Sequence, residues 1–266
     1  MDKNLNIFNQ KYVKNNHIRA TNLLNSHKSS LLEEIGSRLI ERIFDFKGRY
    51  HNSLEIGSRG NTLAKKLLNT KTIDNYYATA LDPLVLPKNS KGIVCSPENI
   101  PFASSNFDLI ISLLSLHSTN NLKKSLISIK NILNDGGVFI AVIPGGKTLK
   151  ILKNTLINAE LEIKKGIYPR VSPMFDLRDI GNLLNQVGFK NPMTDVDIIN
   201  KKHLDLIDLI HEIRLCGESN ALTDKQTNFT VRKLFTKVEN DYQNTTRKVD
   251  GQIVTTFEFI FLTGLG

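Results

Sequence analysis

The chain has 266 residues, 40% hydrophobic and 23% charged, enough for one large α/β domain with a full buried core. Its net charge of +9 comes from basic residues spread along a Lys-, Asn- and Ile-rich chain, so charge alone names no partner, and no nucleic acid is inferred. No apolar run reaches the roughly 18 residues of a membrane helix, the first residues lack a signal-peptide core, and Cys95 and Cys216 form no CxxC pair. A membrane span, a disulfide scaffold and a zinc cage are therefore set aside, and a cytoplasmic location is expected.

Residues 1–50 are expected to form an N-terminal helical extension, because Leu31, Leu32, Ile35, Leu39, Ile40 and Ile43 recur at helical spacing. Residues 51–266 are expected as one domain, with helical insertions around 200–245. Ser53 to Ile56 is a short strand running into Gly57-Ser58-Arg59-Gly60, followed by a helix from Asn61 to Leu68. Tyr76 to Ala80 and Ile93 to Cys95 are the next strands. The continuous apolar run Phe107 to Leu114 marks a central strand buried on both faces. An amphipathic helix over Asn121 to Leu133 is expected to stop at the turn Asn134-Asp135-Gly136-Gly137, before a strand at Val138 to Ile143. Further helices are expected at Thr148 to Lys164, after a cap at Asp176, at Leu204 to Leu215 and at Asp224 to Tyr242. Strands are expected at Val196 to Ile199 and Ile253 to Leu262. Strands alternating with helices predict a mostly parallel, doubly wound sheet, with the last strand antiparallel.

In such sheets ligands bind beyond the carboxyl ends of the strands. Glu55-x-Gly57-x-Arg59-Gly60 fits a ligand-facing turn whose glycines let a ligand approach the backbone, although plain packing uses such turns too. Asp82 follows the second strand, where an acid can accept both ribose hydroxyls; the alternative is a turn-starting Asp before Pro83. His117 follows the central strand and is either a base or a satisfied polar residue. Arg170 and Arg178 either grip an acidic group or are solvated surface charges. Glu218 and Asn220 either cap the next segment or face substrate. The six histidines are scattered and form no local metal triad, so no metal site is expected.

Glu98-Asn99-Ile100-Pro101-Phe102 followed by Phe107-Asp108-Leu109-Ile110 is more specific than the glycines. On these motifs the chain resembles the class I S-adenosylmethionine-dependent methyltransferases of type 11. The resemblance implies a Rossmann-like fold and S-adenosyl-L-methionine as cofactor. It places cofactor contacts at Glu55, Gly57, Ser58, Arg59, Gly60, Asp82, Ser96, Pro97 and Leu113. Ser96 stands where the family has an acid against adenine, and Ser118 where it has a Trp.

Further segments narrow the resemblance. They include Ser112 to His117, Gly145-Gly146, Pro169-Arg170-Val171-Ser172-Pro173, Asp179-Ile180-Gly181 and Cys216-Gly217-Glu218-Ser219-Asn220. They are similar to the complex I assembly branch, whose mitochondrial member hydroxylates an arginine of an Fe–S subunit. The malonyl-carrier-protein methyltransferases of biotin synthesis come next. This implies a protein substrate, the Fe–S subunit or an acyl carrier protein. The expected function is modification of a protein in complex I assembly by arginine hydroxylation or methyl transfer. Carrier-protein methylation and a non-catalytic assembly chaperone are the alternatives. Sulfonium methyl transfer needs alignment and exclusion of water more than acids and bases, which suits a chain without a triad motif.

Overall fold

The computed structural model describes residues 6–164, 166–226, 232–246 and 248–266. Its strands are β1 (Tyr50–Glu55), β2 (Ile73–Ala80), β3 (Lys91–Val94), β4 (Phe107–Leu113), β5 (Leu133–Pro144), β6 (Lys190–His203), β7 (Lys248–Val249) and β8 (Gln252–Leu265). The helices are α1 (Gln10–Leu24), α2 (Ser30–Phe44), α3 (Ala64–Leu68), α4 (Leu122–Ile132), α5 (Lys150–Lys164), α6 (Leu177–Val187), α7 (Leu206–Leu215) and α8 (Arg232–Thr245). The sheet runs β3-β2-β1-β4-β5-β8-β6, with β7 paired to β8. From β3 to β5 every pairing is parallel, and β8 is antiparallel to both β5 and β6. The order reverses between β1 and β4, which opens a crevice at the carboxyl ends of these two strands.

The period-2 geometry of strands explains why the central ones are apolar throughout. In β5, Val138, Ile140 and Val142 face one core, while Phe139, Ala141 and Ile143 face the other. The first core is closed by α2, α3, α5, α7 and α8; the second by α4 and α6. Helix α6 has the expected ends: Asp176 accepts a hydrogen bond from the Arg178 amide, and Gly188 closes it with φ +88°.

Three expectations change. Asn134 to Gly137 is the irregular start of β5 rather than a free turn: Leu133 pairs with Phe107, Val138 pairs with Leu109, and the register shifts between. The sixth strand extends well beyond Val196–Ile199, since charged residues such as Asp195, Asp197 and Lys201 occupy much of this edge strand and mask its periodicity. Helix α8 is described over Arg232–Thr245; Asp224, where the sequence starts it, lies in a turn, and residues 227–231 fall outside the described residues.

Residues 1–50 carry the expected N-terminal helices, α1 and α2. Helix α2 buries Ile35, Leu39 and Ile43 completely in the main core, so it is part of the domain's packing. Arg42 of α2 lies 3.6 Å over the Phe261 ring and bridges to Asp195 and Asp197 of β6; Arg38 adds a 3.1 Å bridge to Asp197.

Replacing Ile35 by Ala is expected to cost about 2–5 kcal/mol in urea unfolding, the range for a large side chain lost from a packed core. A cost below about 1 kcal/mol would contradict the integral place of α2.

Candidate functional site

The β1 turn owes its shape to two glycines. Gly57 has φ +66° and Gly60 φ +68°, a region that side chains disfavour. A Cβ at Gly57 would overlap the Ser115 hydroxyl, so the turn and the segment after β4 touch directly. The amides of Gly57 and Ser58 are tied to Thr79 of β2, at 3.1 Å to Oγ1 and 2.7 Å to the carbonyl. Ser58 Oγ donates to Gly60 O at 3.1 Å, and the Gly60 amide to Val85 O at 3.1 Å.

Glu55 ends β1 fully buried. Its Oε2 accepts from the Tyr76 hydroxyl at 2.7 Å, while Oε1 has no hydrogen-bond partner among the described residues. Burial pushes its carboxyl up to about 7, against the pull of Tyr76, Ser58 and Arg59.

Asp82 lies two residues beyond β2. Its Oδ1 accepts from the Leu84 amide at 3.1 Å, and its Oδ2 meets Lys14 of α1 at 2.8 Å. These contacts hold its carboxyl below the ordinary aspartate value, Lys14 foremost. Ser96, just past β3, accepts from the Glu98 amide at 3.2 Å, and Pro97 beside it is buried. Glu98 Oε1 takes the Asn120 amide at 2.6 Å, which ties this loop to the one after β4. The side chain of Leu113 is fully buried in the main core, so only its backbone is left for a ligand. The expected cofactor residues thus come from the carboxyl ends of β1 to β4.

The connection from this edge to the rest of the molecule was not expected. The Arg59 side chain, 3% exposed, runs from the β1 turn to the segment after β4. Its Nη2 donates to the Leu114 carbonyl and to Glu218 Oε1, the latter at 2.6 Å. The other oxygen of Glu218 lies 2.8 Å from His117 Nε2. One carboxylate therefore serves a guanidinium and an imidazole. Burial alone would raise the Glu218 carboxyl, but the His117 ring and the Arg59 charge outweigh it and hold it at about 2. Buried His17 of α1 completes the group; burial and Arg59 hold it well below the ordinary histidine value. Gly217 (φ +76°) makes room, since a Cβ there would come within 2.6 Å of Arg59 Nη1.

Leu114, His117 and Glu218 line a cavity of about 380 Å³. Its walls are mostly apolar, with Leu152, Leu206, Ile210, Val238 and Phe257 among them. Arg170 and Asn220 also line it. Arg170 is held at 2.7 Å by buried Glu160, and Asn220 donates to Pro169 O at 2.8 Å. Of the two readings open for Arg178, its position fits a solvated surface charge. It is exposed on α6, which covers the opposite face of the sheet, and it does not line this cavity. The pairing of His117 with Glu218 was missed because 101 residues separate them; Gly217, beside the acid, was the available hint of a close approach. Nothing in the sequence marks His17 or Lys14. Among the described residues no cluster of three or more His, Cys, Asp or Glu could hold a metal, and no helix is long and apolar enough to cross a membrane.

The two acids shift stability in opposite ways. Glu218, held at about 2 against an ordinary 4.5, stabilises the fold above pH 4.5, and this is lost as pH falls through about 2. Glu55, raised to about 7, lowers stability as pH rises from 4.5 towards 7. In thermal unfolding across pH, Glu55→Gln is expected to flatten the decline between pH 4.5 and 7, and Glu218→Gln the loss on the acid side. Slopes equal to those of the unsubstituted protein would contradict these environments.

Comparison with known proteins places this geometry. A methyltransferase-domain family model matches residues 54–141, the span from β1 to β5. The zebrafish (Danio rerio) protein "Arginine-hydroxylase NDUFAF5, mitochondrial" is 28% identical over 98% of this chain and 83% of its own. Its human counterpart is 30% identical over 88% of this chain and 69% of its own. Among solved structures, the YcgJ protein of Bacillus subtilis superposes with a TM-score of 0.58 at 13% identity, covering 85% of this chain and 97% of that one, which shows a shared fold. With its Rossmann-like sheet and this degree of likeness, the chain belongs to the NDUFAF5 family of methyltransferase-fold proteins.

Proposed function

We propose that the chain is an S-adenosylmethionine-binding enzyme that modifies a protein in respiratory complex I assembly, with His117 taking the acceptor's proton. One observation carries this reading: Arg59 from the glycine turn and His117 at the cavity wall share the carboxylate of Glu218. The cofactor edge and the acceptor cavity are thereby held in one network. The reading keeps the cytoplasmic location expected from sequence, whereas the zebrafish and human relatives are named mitochondrial.

The residues present fit the cofactor at both ends. In this reading Asp82 accepts the ribose hydroxyls; among the described residues its Oδ2 meets only the Lys14 side chain, which is 43% exposed. Ser96 offers a hydroxyl near the adenine end. At the amino-acid end, Glu55 Oε1 is a buried acceptor without a partner, and Arg59 Nε and Nη1 are buried donors without one, among the described residues. When bound, the cofactor supplies an activated methyl group.

The chain's own residues do the rest. The apolar walls exclude water and align the acceptor. Nε2 of His117 donates to Glu218, which leaves Nδ1, buried and unpartnered among the described residues, to accept a proton from an acceptor O–H or N–H. Glu218 holds the ring and stabilises the imidazolium that results, while Arg59 holds Glu218. A general base of this kind suits methyl transfer to an O–H or N–H acceptor, which gives up its proton as the methyl group arrives. Arginine hydroxylation, the activity named for the relatives, is the second reading.

Calorimetry should show saturable one-site binding of S-adenosylmethionine; no heat at about 1 mM ligand would overturn the cofactor reading. His117→Ala is expected to lower turnover by about 10²–10⁴. Mass spectrometry of the complex I Fe–S subunit from a deletion strain should show an arginine without its modification. A lost methyl group supports transfer and a lost oxygen supports hydroxylation. An unchanged subunit, with methylation of malonyl carrier protein in vitro, would overturn the proposed partner.

A further inference from the structure

Packed interiors leave few voids much larger than a water molecule, so a cavity of about 380 Å³ marks a place built for an occupant. Its lining runs from Arg214, exposed near the end of α7, to Leu206, Leu234, Val238 and Phe257, all buried. These four come from α7, α8 and β8, and their side chains offer an occupant neither donor nor acceptor. Polypeptide inserted among them would strand its own backbone N–H and C=O groups, at a cost for each. A hydrocarbon chain has no such groups, and each of its carbons leaves water on entering.

The charges around the cavity set the other end of the occupant. Its acids are already engaged: Glu218 holds Arg59 and His117, and Glu160 holds Arg170. Arg214 lines the cavity and makes no ion pair among the described residues. Arg59, Arg170 and Arg214 thus face only the carboxylates of Glu160 and Glu218, which leaves an excess of positive charge. An anionic head group is its complement. We propose that the cavity binds a single hydrocarbon chain ending in an anionic group, in its simplest form a fatty carboxylate. The chain lies among Leu206, Leu234, Val238 and Phe257, and the head meets Arg214. This goes beyond the proposed function and needs no nucleoside, since none of these contacts involves Asp82 or the glycine turn.

Calorimetry with octanoate, decanoate and dodecanoate, each below its micelle concentration, tests this, with 1-decanol as the uncharged control. Each added methylene is expected to tighten binding about fourfold, the transfer value of one buried CH₂ group. Decanoate should bind about tenfold tighter than 1-decanol, and Arg214→Gln should narrow that gap. Val238→Phe and Ile210→Phe each place a ring in the cavity and should weaken decanoate about tenfold or more. Thermal unfolding checks that these variants fold, and either one suffices; if neither folds, chain length and head group in the unsubstituted protein decide. Equal affinity across the three chain lengths overturns the inference, as does equal affinity for decanoate and 1-decanol. A gap that Arg214→Gln leaves unchanged overturns it too. So does full decanoate binding by a folded Val238→Phe or Ile210→Phe, since the chain would then lie elsewhere. A protein that binds S-adenosylmethionine but none of the carboxylates overturns this inference and leaves the nucleoside reading standing.

Discussion

The carboxylate of Glu218 joins segments that the chain order keeps far apart. Arg59 comes from the turn after β1, His117 from the segment after β4, and Glu218 from the segment after α7. Buried charges are tolerated where each has a partner, and removing one partner leaves the other stranded. Two bases on one acid, with the arginine side chain almost wholly enclosed, make the network a strong constraint on the relative position of these segments. It fixes the path of the Arg59 side chain, and it orients the His117 ring so that Nε2 faces the acid. His117 and Glu218 of this network also line the cavity.

The N-terminal segment closes over this network. Phe8 and Asn120 exchange two hydrogen bonds, at 2.8 and 3.0 Å. Gln10 donates to Ser118 O, Asn16 to Ser219 O, and Lys14 meets Asp82. Helix α1 thus contacts the segments that carry Asp82, His117 and Glu218. In the proposed function a ribose at Asp82 replaces the Lys14 contact. That exchange is modest in free energy, because an ion pair with one half-exposed partner is worth little. The helix then roofs the ligand and keeps water from the acceptor.

Much of the fold was legible in the sequence because its signals are local. The two-sided apolar runs at Phe107–Leu113 and Val138–Ile143 mark central parallel strands, and Asp176 with Gly188 brackets α6. The long edge strand β6 was less visible, since one face of an edge strand needs no apolar residues. In the site, the positions of the glycine turn and Asp82 followed from strand order. The pairing of Glu218 with both Arg59 and His117 did not, because contacts over such separations leave no periodic trace. For Arg178 the sequence left two readings open, because charge and proximity in sequence do not tell which face of the sheet a helix covers.

In the proposed function the turn at residues 57–60 and Asp82 hold one nucleoside whose reactive end meets the cavity at His117. A crystal structure with S-adenosylhomocysteine tests it most directly. The account predicts ribose hydroxyls on Asp82, the amino-acid end between Glu55 and Arg59, and sulfur facing the cavity. A nucleoside bound elsewhere, or an Arg59 side chain lying across the amino-acid position with the ligand excluded, would contradict it.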